Sequence, residues 1–204
     1  MEFKAFAVSR HRIGIDGEGV TTLVCAMGCP LKCRYCLNPQ HNYTNVKTTV
    51  FTPESLFEEV KKDGIYFSAT GGGITFGGGE PLLNVDFIAQ FKKLCPDDWK
   101  LTAETCLNIP EKFLFTALSV TDKFIVDIKD MNPDIYKSYT GKDNSSVIKN
   151  LEIIAKNGRA DDVKVRIPLI PDFNTEEDRQ RSVKILKEMG YANLELFDYV
   201  IKKK

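Results

Sequence analysis

The stretch GITFGGGEPLLNVDFIAQFKKL, residues 73–94, contains one complete strand–loop–helix unit. Residues 73–76 begin a short apolar run that is typical of a buried strand, and residues 84–94 carry apolar side chains at helical spacing. The glycines between them allow the backbone to turn tightly. A strand followed directly by a helix is the pattern that predicts the fold of the whole chain.

The same alternation recurs on both sides of this unit. Before it, a buried strand is predicted at 22–27 and a helix at 53–63, and after it a final strand is predicted at 193–198. Strands separated by helices require parallel crossovers, so we expect a mostly parallel α/β sheet with ligand-binding loops at the carboxyl ends of its strands. The remaining predicted pairs are strand 100–104 with helix 110–119, strand 123–128 with helix 145–157, and strand 163–167 with helix 175–189.

Six such β/α units suit either a three-quarter barrel or a doubly wound sheet, and periodicity does not choose between them. Residues 3–15 alternate apolar and polar side chains, which predicts a short β-hairpin at the N-terminus. With 204 residues, 43% of them hydrophobic and 27% charged, the composition is that of a globular protein. We therefore expect a single domain over 1–204.

Charge and hydropathy narrow the choice of partners. The chain has 28 Lys plus Arg and 28 Asp plus Glu, so no net field would draw it to nucleic acid or to anionic lipid. Its first 20 residues contain no apolar signal-peptide core, and no window holds the roughly 18 consecutive apolar residues of a membrane span. We expect a cytoplasmic protein with no nucleic-acid or membrane partner.

Three of the six cysteines are clustered in a long loop predicted at about 27–52. Cys29, Cys33 and Cys36 are separated by three and then two residues, so one turn can direct all three thiols to one point. Thiolates at this spacing suit zinc or iron–sulfur chemistry. With His41 as a fourth ligand the site could be a Cys3His zinc site. Without a fourth ligand it could be a [4Fe–4S] cluster with one open iron.

Polar residues follow several predicted strands. Glu80 comes after the glycines that end strand 73–76. Because glycines have no side chains, a ligand can approach the backbone here closely, and the Glu80 carboxylate suits a ligand with an ammonium group. Because the carboxyl ends of parallel strands share one rim, we expect these residues to form a binding site together. The residues at the ends of the next three strands are Glu104, Asp127 with Lys129, and Arg166.

The spacing of Cys29, Cys33 and Cys36 resembles that of the radical S-adenosylmethionine superfamily. A wider set of motifs is similar to the activating enzymes of glycyl radical enzymes, over about residues 13–199. Taken together, this set is specific, whereas the cysteine spacing alone indicates only the superfamily. The motifs are Asp16-Gly17-Glu18-Gly19, Gly28-Cys29-Pro30-Leu31-Lys32-Cys33, Asn38-Pro39, Gly71 to Leu83, Glu104-Thr105-Cys106, Asp127-Ile128-Lys129 with Met131, Tyr139-Thr140-Gly141, and Arg166 to Pro171.

The resemblance implies a partial (β/α)6 barrel that binds a [4Fe–4S] cluster through the three cysteines and S-adenosylmethionine through the open iron. A monovalent cation near Glu104 and Asp127 is a further element that the resemblance allows. The residues that it implies as cofactor contacts are Tyr35, Gly78, Gly79, Glu80, Glu104, Asp127, Lys129 and Arg166. We accordingly expect Gly79→Val to block S-adenosylmethionine binding and to leave the cluster intact.

The implied activity is reductive cleavage of S-adenosylmethionine to methionine and a 5′-deoxyadenosyl radical, which takes a hydrogen from a glycine of a partner glycyl radical enzyme. The implied electron donor resembles a flavodoxin or ferredoxin, and we expect an oxygen-sensitive monomer. No cysteine lies between Cys36 and Cys95, which excludes a ferredoxin-like insert with extra clusters. No catalytic side chain is expected beyond the cluster and the cofactor.

Several positions depart from the pattern of the activating enzymes, and two alternatives remain open. One is a radical S-adenosylmethionine enzyme that acts on a small molecule or a ribosomal peptide, and the other is a non-catalytic zinc or iron–sulfur module. We expect the departures to affect the choice of partner, above all Leu37 and Tyr136, where relatives have histidine. The other departures are Thr21, Leu107 and the segment Asp198-Tyr199-Val200.

Overall fold

The structure is a computed structural model that describes residues 1–199, and Val200 lies outside the described residues. The described part contains eight β-strands and seven α-helices. In chain order these are β1 (Phe3–Ile13), β2 (Val20–Ala26), β3 (Thr49–Phe51), α1 (Pro53–Val60), α2 (Gly64–Thr70), β4 (Gly73–Gly78), α3 (Val85–Lys92), β5 (Lys100–Thr105), α4 (Glu111–Val120), β6 (Lys123–Asp127), α5 (Pro133–Thr140), α6 (Ser145–Lys156), β7 (Val163–Leu169), α7 (Glu176–Glu188) and β8 (Leu194–Asp198).

All eight strands belong to one sheet, in the order β3-β1-β2-β4-β5-β6-β7-β8. The pairs β2–β4, β4–β5 and β7–β8 are parallel, whereas β1 is antiparallel to both of its neighbours. From β2 onward each strand neighbours the next strand of the β/α series, without the reversal of order that marks a doubly wound sheet. The strand order is open, and the predicted α/β fold of partial-barrel type is confirmed.

The predicted N-terminal hairpin is confirmed as the antiparallel pair β1–β2, but it is longer than residues 3–15. Residues 3–13 form a single strand whose register with β2 runs from Ala5 opposite Ala26 to Ile13 opposite Val20. The first buried strand of the β/α series is therefore also the second strand of the hairpin. The predicted loop after it contains a short strand, β3, that pairs with the start of β1.

Two helices were not predicted from the sequence. The helix expected over 53–63 ends at Val60 and is followed by a 3-10 turn and by α2. Helix α5 begins after Asn132, whose side chain accepts hydrogen bonds from the amides of Asp134 and Ile135. The other predicted helices are observed with bounds that differ by one or two residues.

The chain divides into two compact units, which we call unit 1 and unit 2. Unit 1 consists of Met1–Cys29, Asn38–Thr105 and Lys112–Ile125, and unit 2 consists of Pro30–Leu37, Cys106–Glu111 and, within the described residues, 126–199. Within residues 1–199, no helix has the length and apolar character that crossing a membrane requires.

Each unit has its own aromatic packing. In unit 1 the ring of Phe3 lies 5.7 Å from Phe76 and 5.0 Å from Phe87, and all three side chains are buried. In unit 2 the buried residues Tyr139, Ile170 and Tyr199 pack together with Cys33, Tyr35, Phe173 and Phe197, and we call these seven residues the aromatic cluster.

Candidate functional site

The glycine-rich end of β4 lies directly beside the residues that precede Cys29. Gly78 is the register partner of Ala26 at the end of the parallel pair β2–β4. The amide of Gly79 donates to the Ala26 carbonyl at 3.0 Å, and the amide of Glu80 donates to the Gly28 carbonyl at 2.8 Å. This ladder fixes the start of the cysteine loop to the glycine-rich segment of unit 1.

Gly79 is required by this contact between two backbone segments. A Cβ atom at position 79 would overlap the Gly28 carbonyl oxygen and would lie 2.8 Å from the Ala26 carbonyl oxygen. The expectation that Gly79→Val leaves the cluster intact stays a prediction, but this geometry argues against it, because the first atom of the new side chain would displace the segment leading to Cys29. A substitution at Gly79 changes the cysteine loop as well.

Glu80 is completely buried and acts as a cap. Its carboxylate accepts hydrogen bonds from the Thr105 hydroxyl at 2.8 Å and from the amide of Leu82 at 3.1 Å. The bond to Leu82 caps the 3-10 turn over Pro81–Asn84, and the bond to Thr105 links the ends of β4 and β5. The carboxylate is thus held in one orientation at the carboxyl end of β4.

The end of the Glu104 side chain lies beside Gly77 of β4. A Cβ atom at Gly77 would lie 2.8 Å from the Glu104 Oε2 atom and 3.0 Å from Leu23. The nearby Cys25 is buried, and burial together with the charges of Glu104 and Asp16 raises the pKa of its thiol to about 12. Cys25 therefore stays protonated, as expected of a core thiol.

Unit 2 holds the cysteine loop through both backbone and side chains. The amides of Lys32 and Arg34 donate to the carbonyls of Thr140 at 2.9 Å and Tyr139 at 3.0 Å. The Tyr35 hydroxyl donates to Asp172 at 2.9 Å, and the Tyr199 hydroxyl donates to the Tyr35 carbonyl at 2.6 Å. The residues between Cys29 and Cys36 are therefore held at four points.

The three clustered cysteines are half-buried, and none of the six cysteines forms a disulfide. The amide of Cys36 donates to the Cys33 carbonyl at 3.3 Å, which closes a turn between these two residues. Across residues 1–199, no three His, Cys, Asp or Glu side chains converge closely enough to hold a single metal ion. The Cys3His zinc site with His41 and the [4Fe–4S] cluster both stay predictions from the sequence at this point.

Asp127 and Lys129 form an ion pair at the carboxyl end of β6 in unit 2. The ammonium Nζ atom lies 2.5 Å from the Asp127 Oδ2 atom, and only 10% of the Lys129 side chain is exposed. Burial opposes the charge of Lys129, but Asp127 and then Cys33 outweigh it and raise the pKa of Lys129 well above its ordinary value. The second carboxylate oxygen of Asp127, Oδ1, is buried and has no hydrogen-bond partner among residues 1–199.

An orphaned carboxylate oxygen of this kind is unfavourable unless a ligand completes it. The backbone of Lys129 also has a φ of +61°, a conformation that residues other than glycine rarely adopt. Both observations are typical of a ligand-binding or functional segment, and they single out Asp127–Lys129 on β6 and the turn after it. Arg166 lies on β7, and its Nε atom is 3.4 Å from Glu195 Oε2 on β8.

Two residues expected to set the choice of partner have different surroundings. Leu37 is 52% exposed, whereas Tyr136 is completely buried. The amide Nδ2 of Asn108 donates to the Tyr136 hydroxyl at 3.3 Å, and burial raises the pKa of this hydroxyl well above its ordinary value. Leu37 is thus accessible at the surface and Tyr136 is not, and the effect of both residues on the choice of partner stays a prediction.

A match to the Radical SAM superfamily, in which SAM denotes S-adenosylmethionine, covers residues 23–192. The chain belongs to this superfamily. The radical SAM match confirms the resemblance predicted from the cysteine spacing. Membership implies a [4Fe–4S] cluster and S-adenosylmethionine as the cofactors of the fold.

Characterised radical SAM relatives include activating enzymes of glycyl radical enzymes, which confirms the narrower resemblance. The pyruvate formate-lyase-activating enzyme of Clostridium pasteurianum is 30% identical, with 91% of this chain and 77% of that protein covered. The (2S)-3-sulfopropanediol dehydratase activating enzyme of Klebsiella oxytoca is 29% identical with the same coverage.

Solved radical SAM structures share the fold. Streptococcus suis SuiB, bound to its precursor peptide SuiA, superimposes with a TM-score of 0.69 and 17% identity over 89% of this chain. The chain spans about two fifths of SuiB, since 41% of that protein is covered. The enzyme anSMEcpe with bound AdoMet gives a TM-score of 0.61 and 22% identity, over 85% of this chain and 49% of that protein.

The sequence identified the cysteines of this radical SAM chain but not the residues that hold their loop. The motif Tyr139-Thr140-Gly141 was visible in the sequence, yet only the structure shows that its carbonyls accept bonds from the cysteine loop. Tyr199 lies 164 residues from Tyr35 in the chain, and no local pattern connects the two.

Proposed function

We propose that this protein activates a glycyl radical enzyme by installing a radical on one of its glycines. The observation that carries the proposal is the reduced cysteine trio on a loop held at four points, in a chain of the radical SAM superfamily. The named activating enzymes of Clostridium pasteurianum and Klebsiella oxytoca support it. Pyruvate formate-lyase and (2S)-3-sulfopropanediol dehydratase are accordingly the first partners to test.

Cys29, Cys33 and Cys36 are the proposed ligands of a [4Fe–4S] cluster. Three soft thiolates within eight consecutive residues suit iron–sulfur binding and leave one iron open. When bound, the cluster supplies the single electron for cleavage of S-adenosylmethionine to methionine and a 5′-deoxyadenosyl radical. That radical takes a hydrogen atom from the partner glycine, which yields 5′-deoxyadenosine and a glycyl radical.

The proposed S-adenosylmethionine contacts are the residues that the resemblance to activating enzymes implies. In unit 1, backbone groups of Gly78 and Gly79 and the carboxylate of Glu80 are assigned to the methionine amine, and Glu80 is oriented for this by Thr105. In unit 2, the orphaned Oδ1 atom of Asp127 supports a polar ligand at this position. The remaining proposed contacts are Tyr35, Glu104, Lys129 and Arg166.

A monovalent cation beside Glu104 or Asp127 is a further part of the proposal. The buried Oδ1 atom of Asp127 supports it, because a cation would complete this carboxylate as well as a hydrogen-bond donor would. We also propose a cytoplasmic monomer with one radical SAM domain and no nucleic-acid or membrane partner. Its electron donor is proposed to be a flavodoxin-like or ferredoxin-like protein.

Anaerobic reconstitution with iron and sulfide tests this function. With dithionite and S-adenosylmethionine, the loaded protein is expected to form 5′-deoxyadenosine, and a candidate partner is expected to acquire a glycyl electron paramagnetic resonance doublet. Cys33→Ala should abolish both signals, whereas Cys95→Ala, a matched change outside the trio, should retain them. A small molecule or peptide that stimulates 5′-deoxyadenosine formation, with no stimulation by a candidate partner and no glycyl radical on it, would favour the alternative substrates. Retention of iron in Cys33→Ala would contradict the cluster assignment.

A further inference from the structure

The four hydrogen bonds that hold the cysteine loop differ in what they require from the sequence. The bonds from Lys32 and Arg34 end on backbone carbonyls and involve no particular side chain. The Tyr35 hydroxyl bonds to Asp172 at an exposed position. The fourth bond is the only one of the four that a buried side chain makes: the Tyr199 residue is 8% exposed, and its hydroxyl donates to the Tyr35 carbonyl at 2.6 Å.

We propose that Tyr199 is a positioning residue for the iron–sulfur cluster, a role that rests on the function proposed above. The Tyr35 carbonyl belongs to the peptide plane that leads into Cys36. Because a peptide unit is planar, fixing its oxygen also fixes the direction of the Cys36 amide nitrogen. That amide closes the turn onto the Cys33 carbonyl, so the bond from Tyr199 orients two of the three thiols together.

The surroundings of Tyr199 keep its hydroxyl in place. Its amide donates to the Leu169 carbonyl at 2.9 Å, and its ring packs edge-on against Tyr139 with the ring centres 6.3 Å apart. Cys33 belongs to the same aromatic cluster. The donor is therefore attached to a rigid support that also contacts one cysteine, which is the arrangement that lets outer groups orient metal ligands.

Tyr199→Phe tests this role because it deletes the hydroxyl and keeps the ring. Tyr191→Phe is the matched control, since it deletes another buried tyrosine hydroxyl that donates to a backbone carbonyl, that of Leu151 at 2.7 Å, and leaves the cysteine loop unchanged. Each protein is reconstituted anaerobically with iron and sulfide. The readouts are the rate of iron loss to a chelator and the electron paramagnetic resonance spectrum of the dithionite-reduced protein without S-adenosylmethionine.

For Tyr199→Phe we expect iron loss about 10- to 100-fold faster than in the wild type, the usual effect of removing a partner of a metal ligand. Its spectrum should also have altered g values, while Tyr191→Phe should resemble the wild type in both readouts. Tyr199→Leu, which removes the ring too, should lose iron at least as fast as Tyr199→Phe.

Equal iron loss and identical spectra in Tyr199→Phe and the wild type would overturn the proposal. Iron loss that keeps pace with loss of the helical circular dichroism signal would also overturn it, because it would show general unfolding. A wild-type protein that takes up no cluster would contradict the proposed function itself. The experiment therefore distinguishes failure of the positioning role from failure of the proposed function.

Discussion

At the scale of single residues, Gly79 lets the glycine-rich end of β4 lie against the start of the cysteine loop because it has no side chain. Its Cβ position is filled by the carbonyl oxygens of Gly28 and Ala26. We expect Gly79→Ala to lower the free energy of unfolding by about 1–3 kcal/mol, the usual cost of overpacking, and to lower the iron content after reconstitution. Urea unfolding and iron analysis check both effects.

Gly158→Ala is the control for this prediction. A Cβ atom at Gly158 meets open space, but its φ of +70° makes the substitution cost about 1–2 kcal/mol of backbone strain. The control thus loses comparable stability at a distant position and should keep its full iron content. Full iron content in Gly79→Ala, with weaker S-adenosylmethionine binding, would restore the interpretation in which Gly79 faces only the ligand.

The chemistry of single residues was partly visible in the sequence. The spacing of Cys29, Cys33 and Cys36 could be recognised because it depends on positions along the chain alone. The burial of Tyr136 could not, since it results from neighbours in unit 2 such as Asn108. The role of Gly79 was missed for the same reason: the segment that fills its Cβ position is 51 residues away in the chain.

At the scale of elements, buried polar side chains hold loops to helices. Asn150 on α6 is completely buried, and its amide donates to the carbonyls of Leu107 and Ile109 at 2.9 Å each. Asn150→Ala leaves both carbonyls without this donor, and we expect a loss of about 2 kcal/mol in the free energy of unfolding.

Asn157→Ala is the matched control because Asn157 is exposed and makes a hydrogen bond to Ile153 within its own helix segment. Its effect should stay within about 0.5 kcal/mol. Urea unfolding of both variants measures the two changes in the free energy of unfolding. An equally small effect for Asn150→Ala would show that the loop from Leu107 to Ile109 does not depend on this side chain.

Asp63 connects β1, β2 and the turn after α1. Its buried carboxylate accepts from the Thr22 hydroxyl at 2.7 Å and from Arg10, and His11 Nε2 lies 3.0 Å away. Burial alone would raise the pKa of Asp63, but the hydrogen bonds from Arg10 and Thr22 outweigh it and lower the pKa below its ordinary value.

A lowered carboxyl pKa makes the unfolded chain the better proton acceptor in acid. Asp63 therefore stabilises the fold above the unfolded pKa of about 3.9, and this contribution is lost as the pH falls through the lower folded value. We expect Asp63→Asn to flatten the acid limb of stability against pH, measured by thermal unfolding. The control Asp97→Asn removes an exposed carboxylate, and an equal flattening there would refute the assignment.

Element boundaries were readable where local signals were strong. The β/α alternation predicted both ends of each strand from β2 to β8, apart from β3, to within two residues. Helix α5 was missed although Asn132 caps it and Gly141 ends it with a φ of +76°, because it is only eight residues long and its buried face is formed by Tyr136, Tyr139 and Thr140 and not by aliphatic side chains. Strand β3 is only three residues long, too short for a period-2 pattern to be recognised.

At the scale of the whole molecule, the sheet order decides between two folds that the sequence left open. Periodicity gives the number of strands but not their neighbours, since pairing depends on contacts distant in the chain. The order β2-β4-β5-β6-β7-β8 supplies that information and places the ends of successive strands in sequence along one sheet. The resemblance to activating enzymes had implied this partial barrel, and the observed order agrees with it.

The central claim is that a glycine of a protein partner is the hydrogen donor. The most direct measurement uses a candidate partner labelled with deuterium at its glycines, incubated anaerobically with the reconstituted protein, S-adenosylmethionine and dithionite. We expect deuterium in the 5′-deoxyadenosine formed, together with a glycyl radical signal on the partner. Deuterium that reaches 5′-deoxyadenosine only from a labelled small metabolite, with none from partner glycine, would contradict it.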